Sequence, residues 1–335
     1  MAKYVTKYSY SRLNTYDSCS WRYKLTYVDK HYIYSESLAT ELGTLIHKIL
    51  ELISIDIMNG TPIDYEKYKK DFMEMNIPKT SPMDREGGIY GVEILRNKYK
   101  EEFYKTDEMG SSYFTKALEF RDKGIYQLEE YLKEHPNLSI VGVEVYFETN
   151  IAGAVFSGFI DRLLFDKDTN EYIIEDIKTK GHPFADKDLV TPLQFVIYSC
   201  ALKEMKGLDD YPTRCYYNLP LCGNLRQEAG TKGFIKRGLK KIEKILTGIG
   251  TSQYQPKPSP LCFWCPFSYT NPEQPKEGKH LCCYYSLWKP DNDRKGYEAI
   301  CKWEGPERHG EIMEQFLEFH PDNDDSKVNI FDFDF

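Results

Sequence analysis

The 335-residue chain is poor in long apolar runs. None reaches the roughly 18 consecutive apolar residues of a membrane-spanning helix, so no membrane association is expected. Its opening residues, MAKYVTKYSYSRLN, lack the apolar core of a secretory signal. Both absences imply an intracellular, cytoplasmic protein whose thiols stay reduced. Positive charge is not in excess either. Lys and Arg total 44 against 52 Asp and Glu, a formal net charge of -8. That excludes a basic coat, though not a local basic groove. No internal repeat is visible.

What is present is a chain with 41% hydrophobic residues, enough for one elaborated domain or two. Tyrosine is abundant at 27, and there are nine cysteines. Without a secretion signal, cysteines at ligand-like spacing favour metal binding over disulfides.

Periodicity gives the elements. Residues 9–27 read as a helix. Residues 37–57, SLATELGTLIHKILELISIDI, read as an amphipathic helix with Leu42, Leu45, Ile46, Ile49 and Leu50 in one stripe. From about 60 to 136 helical segments are broken by the loop NIPKTSPMDREGG. The period then changes to that of strands in LSIVGVEVYFETN, GAVFSGFIDRLLFD and YIIEDIKT. A helix over LVTPLQFVIYSCALKEM, a strand over YPTRCYYNLP and a basic helix over FIKRGLKKIEKILTGI follow, with a last helix near 307–319. This order predicts an α/β fold with a helical insertion.

The stretch YIIEDIKTK, residues 172–180, places acids and a lysine at a strand end. Alternation puts Asp176 and Lys178 on one face and Glu175 and Ile177 on the other. Asp161, in Gly158-Phe159-Ile160-Asp161, converges on Asp176 if the two strands pair. Two adjacent carboxylates repel unless a cation lies between them, and Mg2+ or Mn2+ takes oxygen ligands. Lys178 can then orient water or offset charge on a phosphate. His47 lies beside the apolar stripe, where a boundary histidine is the ordinary reading. Glu144, in VGVEVYF, lies on a neighbouring candidate strand as a further acid for the site, though a solvated strand-face acid is the ordinary reading. Gln194 and Tyr198, one turn apart, read alone as ordinary helix packing.

In order along the chain, a G-x-x-x-H-x-x-L-E helix, a G-x-I-D strand, a D-x-K-T strand and a Q-x-x-x-Y helix resemble the RecB-like branch of the PD-(D/E)XK nuclease superfamily. The resemblance covers roughly residues 8–285. It implies a mixed sheet flanked by helices, Mg2+ or Mn2+ held by His47, Asp161 and Asp176, and a catalytic Lys178. Gln194 and Tyr198 would support the site or contact DNA. The implied activity is metal-dependent hydrolysis of phosphodiester bonds in DNA. Exonuclease action on single strands or ends is favoured because it is common in that branch, in replication, recombination or repair.

Cys262-Phe263-Trp264-Cys265 is a CxxC, and Cys282 and Cys283 follow. On spacing alone, zinc and an iron–sulfur cluster are both reasonable. For Cys200, Cys215, Cys222 and Cys301 an unligated thiol is expected. SRLNTYDSCSWRYKL is similar to the N-terminal helix of iron–sulfur members of the branch, which include the AddB nuclease domain and the CRISPR-adaptation exonucleases. That resemblance implies a structural [4Fe–4S] cluster on Cys19, Cys262, Cys265 and Cys282. The interval SYTNPEQPKEGKH before Cys282 is longer than is usual there.

Lys236, Arg237, Lys240, Lys241 and Lys244 form a local basic patch for a polyanion. Residues 321–335 hold five aspartates and three phenylalanines. They resemble the acidic tails by which single-stranded-DNA-binding proteins dock on partners, and suit contact with a helicase or replication protein in a phage or mobile element. No G-x-x-x-x-G-K-[ST] loop occurs, so unwinding would come from a partner. The expected organisation is N-terminal helices (1–58), helical insertion (59–136), core sheet and helices (137–250), cysteine region (251–305), and C-terminal helix with acidic tail (306–335). The rival reading is a non-catalytic nucleic-acid-binding or assembly subunit stabilised by zinc or iron–sulfur.

Overall fold

The computed structural model describes residues 7–33, 37–78, 88–106, 110–257, 259–268 and Cys282. Contacts divide the chain into two units, Met1–Tyr10 with Glu36–Glu243 and Ser11–Ser35 with Lys244–Phe335. The helices used below are α1 (Tyr10–Ser18), α2 (Leu38–Asn59), α3 (Tyr65–Glu74), α4 (Val92–Tyr99), α5 (Tyr113–Asp122), α6 (Gln127–Glu134), α7 (Leu193–Lys206) and α8 (Phe234–Gly250).

The first unit is built on a five-stranded mixed sheet. Its strands are β1 (Leu138–Ile151), β2 (Ala154–Asp166), β3 (Glu171–Ile177), β4 (Arg214–Leu219) and β5 (Leu225–Ala229), adjacent in that order. All neighbours are antiparallel except β3 and β4, which run parallel and are joined through α7. This is the mixed α/β sheet flanked by helices that the sequence predicts.

Local chemistry sets the register. Ala152 and Gly153 both have positive φ, 51° and 79°, as a two-residue turn matched to strand twist requires. Asn150 Oδ1 accepts the Gly153 amide at 3.1 Å and closes that turn. Between β2 and β3, Asp166 Oδ1 accepts the amides of Asp168 (3.0 Å) and Thr169 (3.4 Å). Arg214 on β4 reaches Asp166 Oδ2 at 2.6 Å, pinning three strands at one end.

Helix α2 starts at Ser37, whose hydroxyl accepts the Thr40 amide, and ends at Gly60 in the left-handed region, φ 67°. Its stripe from Leu38 to Ile53 is buried. It anchors one apolar cluster with Tyr68 and Phe72 of α3, Val92 and Leu95 of α4, Phe120 of α5 and Ile177 of β3. Each such aliphatic side chain contributes roughly 1.5–3 kcal/mol by leaving water. The helices α3, α4 and α5 thus pack against α2, whereas Leu128 of α6 packs directly on Leu138, Ile140, Leu164 and Ile173 of the sheet. Helix α7 is buried at every position from Leu193 to Leu202.

Three elements depart from the sequence reading. The single helix expected over 9–27 breaks at Cys19, whose backbone is extended, φ -160° and ψ 106°. The helix expected from 189 begins only after Pro192, because a proline disfavours helical geometry in the residue before it. Strand β5 is short, with only Ala229 buried, and gave no alternating signal. The expected helix at 307–319, the tail 321–335, Cys283 and Cys301 lie outside the described residues.

In the second unit, residues 253–255 are tied to α1 and the turn after it. The Tyr16 hydroxyl donates to Gln253 O (2.6 Å), Trp21 N to Gln255 O (3.2 Å) and Gln255 N to Ser20 Oγ (2.7 Å). Tyr23 stacks on Tyr254 with centroids 6.2 Å apart, and Arg12 lies over Tyr27 at 4.8 Å. No described helix is long and apolar enough to cross a membrane.

Candidate active site

The ends of β2 and β3 and one turn of α2 assemble the site. Gly43 lets α2 close on the end of β3: a Cβ there would stand 2.7 Å from Thr179 Oγ1. One helical turn on, His47 Nδ1 lies 3.9 Å from Asp161 Oδ2. The same oxygen accepts the Ile177 amide at 2.7 Å, which fixes the Asp161 carboxylate against β3. Gly158 admits no neighbouring backbone; a Cβ there would meet the Phe147 ring at 3.1 Å.

Asp176 is fully buried. Its Oδ1 accepts Gln194 Nε2 at 2.6 Å and the Tyr198 hydroxyl at 3.4 Å, and Gln194 Nε2 also donates to Tyr198 at 2.8 Å. Oδ2 faces the Lys178 ammonium at 2.5 Å, a contact of opposite charges outside hydrogen-bonding direction. Lys178 is placed by its own amide, which donates to Asn218 O at 2.8 Å. The sequence-predicted residues His47, Asp161, Asp176, Lys178, Gln194 and Tyr198 therefore occupy one locus.

One acid there was misread. Glu144 is not a solvated strand-face residue. Its backbone has φ 46°, opposite Asp161 in the ladder between the Val143–Arg162 and Val145–Ile160 pairs. Ligand atoms of His47, Glu144 and Asp161 lie within 4.8 Å of one another. Alternation is a poor guide at such a residue, and only its place on a neighbouring strand marked it.

Burial dominates the electrostatics. It pushes the Glu144 carboxyl up to about 7, with the nearby Asp161 and Glu51 charges adding to it. It also raises Asp161, against the opposing pull of Lys178, and raises Asp176, where Lys178 again opposes it and the Asp161 charge adds to it. His47 is lowered by burial, which outweighs Asp176. Burial works against charged Lys178 too, but Asp176 and Asp161 prevail and its pKa rises. Asp161 and Asp176 share the Lys178 ammonium, Glu144 lies beside Asp161 with Lys48 as its cation, and a buried Asp176 oxygen has no hydrogen bond among the described residues. Carboxylate oxygens with one imidazole are the donor set of a hard divalent cation, which would relieve this repulsion. The residues present fit such an ion.

The PD-(D/E)XK nuclease superfamily profile matches residues 7–269. The chain belongs to the PD-(D/E)XK nuclease superfamily. Members of this superfamily use divalent metals, which agrees with the donor set above. No curated protein matches the chain. Among solved structures, one named as a putative exonuclease from Eubacterium rectale is similar over 77% of this chain and 86% of its own, at 11% identity and a TM-score of 0.39.

The four candidate cluster thiols, Cys19, Cys262, Cys265 and Cys282, lie in the second unit. Cys19 follows the α1 break, and its Sγ accepts the Arg22 amide at 3.5 Å. Cys262 Sγ accepts the Ser259 amide at 3.5 Å. Burial raises the Cys265 thiol, and the Cys19 and Cys262 sulfurs are near enough to add to it. Cys282 pairs through its backbone with Ser268 in an isolated parallel bridge. Cys200 and Cys215 are buried in the first unit, pushed up to about 11 and about 12 by desolvation. On α8, Lys236, Lys240 and Lys241 are exposed, as the basic patch requires. Arg237 is exposed too, with its guanidinium oriented by donation to Lys232 O (2.7 Å), Val190 O (3.1 Å) and Thr231 Oγ1 (2.7 Å).

Proposed function

We propose that this nuclease is a divalent-metal-dependent deoxyribonuclease of the RecB-like branch. It acts as an exonuclease on single-stranded DNA or at DNA ends. The observation carrying the reading is the gathering of His47, Glu144, Asp161, Asp176 and Lys178 at one sheet end. Bound Mg2+ or Mn2+ would supply positive charge at the phosphate and lower the pKa of water. His47, Asp161, Asp176 and Glu144 would hold it. Gln194 and Tyr198 keep the Asp176 carboxylate in one orientation, and Lys178 offsets charge growing on the phosphate oxygens.

In the same reading, Cys19, Cys262, Cys265 and Cys282 hold a [4Fe–4S] cluster. The closeness of Cys265 to Cys19 and to Cys262, and the amide donors at the Cys19 and Cys262 sulfurs, support it. The test of activity is Mn2+-dependent release of label from single-stranded DNA, duplex DNA and RNA, with Asp176→Ala as control. Release from single-stranded DNA and duplex ends by the wild type alone is the expected result. Equal release by Asp176→Ala sinks the catalytic assignment, and binding without release favours an assembly subunit. Anaerobically purified protein should be brown and carry iron and sulfide; zinc in a colourless preparation refutes the cluster.

A further inference from the structure

Of the five aromatic side chains of the β1–β2 hairpin, two are buried and Phe165 is half-buried. Phe147 is 3% exposed and Phe156 is fully buried. Tyr146 and Phe159 are the exception, at 50% and 49% exposure. They are register partners across the two strands, with ring centroids 5.3 Å apart and planes inclined at 56°. Two positions further along the same ladder come Glu144 and Asp161, the acids of the active site. Two residues of strand span about 6.6 Å, which is about the length of one nucleotide of an extended strand.

A cross-strand aromatic pair contributes to hairpin stability wherever it occurs, and that is the ordinary account of such a pair. Two further features go beyond it. The Tyr146 hydroxyl is tied to Glu148, which also pairs with the Lys7 ammonium, so the ring is anchored while its face is left to solvent. And the pair is placed on the very strands that carry the acids, at one nucleotide's reach.

We propose that Tyr146 and Phe159 form a stacking platform for an unpaired base of the substrate strand next to the scissile phosphate. The platform gives this nuclease a preference for single-stranded over duplex nucleic acid. Every base offers a π-face, so the preference is for unpaired structure and not for sequence. The inference rests on the nuclease reading above.

The test is the affinity of full-length protein for a labelled single-stranded oligonucleotide, measured without divalent metal so that nothing is cut. Replacing both residues, Tyr146→Ser with Phe159→Ser, weakens single-strand binding about 10–100-fold and leaves duplex binding unchanged. Tyr146→Trp retains wild-type affinity, which separates stacking from a folding defect. Abasic residues in the oligonucleotide weaken wild-type binding and leave the double variant indifferent. A wild type that binds normal and abasic strands equally overturns the platform while leaving the nuclease reading intact. A wild type that binds no nucleic acid overturns both. A wild-type dimer that the double substitution dissociates assigns the rings to self-association and also overturns the proposal.

Discussion

Arg162 stands beside Asp161, and Glu175 beside Asp176, in the same two strands. Alternation sends these neighbours to opposite faces of the sheet, with opposite electrostatic outcomes. On one face Arg162 Nε donates to Glu175 Oε2 at 2.5 Å and its Nη1 to Ser54 Oγ at 3.2 Å, with both partners of the ion pair 1% exposed. Arg226 meets the other Glu175 oxygen. The carboxylate there is fully compensated: burial opposes the Glu175 carboxylate, yet the two guanidiniums hold its pKa below the usual value. On the other face, acids outnumber cations and carboxyl pKa values rise. Compensated buried charge holds the strands together, whereas uncompensated buried charge is tolerated where a cation is to be bound.

Substitution on the two faces should separate these roles. The largest effect is on turnover. Lys178→Ala and Asp176→Asn should each lower Mn2+-dependent cleavage by about 10^2–10^3-fold or more, with melting temperature kept or raised, because the lost group carried activity at a stability cost. Single-turnover assays beside thermal melts check this, and wild-type rates break the comparison. Next is Arg162→Met on the compensated face. Leaving Glu175 buried with one partner should cost about 3–5 kcal/mol, lowering the melting temperature while activity per folded molecule persists.

Metal linkage is a third measure. Mn2+ at 100 times its dissociation constant should stabilise the wild type by about 2.7 kcal/mol and Asp161→Asn far less. Equal stabilisation of both places the ion elsewhere. The smallest effect lies at the far end of β2. Chiefly the Arg214 hydrogen bond, then that of Asn137, depresses the Asp166 carboxyl below its ordinary 3.8. A depressed folded-state pKa adds stability above the unfolded value and loses it as pH falls through the folded one. Asp166→Asn should therefore destabilise at pH 7, with the difference from wild type shrinking below about pH 4. A pH-independent difference in melting temperature would assign Asp166 a packing role instead.

The sequence made one face of this comparison more legible than the other. Asp161, Asp176 and Lys178 stand out because acids interrupt apolar strands at fixed spacing. Arg162 and Glu175 sit in the same runs, and nothing in one strand reveals that its neighbour supplies the opposite charge. Glu144 was misread because a positive φ breaks the alternation on which strand reading depends. The hairpin and α2 were readable from period alone. Strand β5 was not, since an edge strand with one buried residue leaves no pattern. The carbonyl partners of Arg237 at 190 and 232 are likewise visible only once the chain is folded.

The second unit draws on residues 11–35 and 244–335, on either side of the first. Synthesis is directional, at about 5–20 residues per second in bacteria, so Cys19 leaves the ribosome long before Cys262 and Cys265. For the proposed cluster, the intervening polypeptide can fold while the early thiol waits for its companions. Any release of the nascent chain before residue 262 would leave that thiol permanently without them.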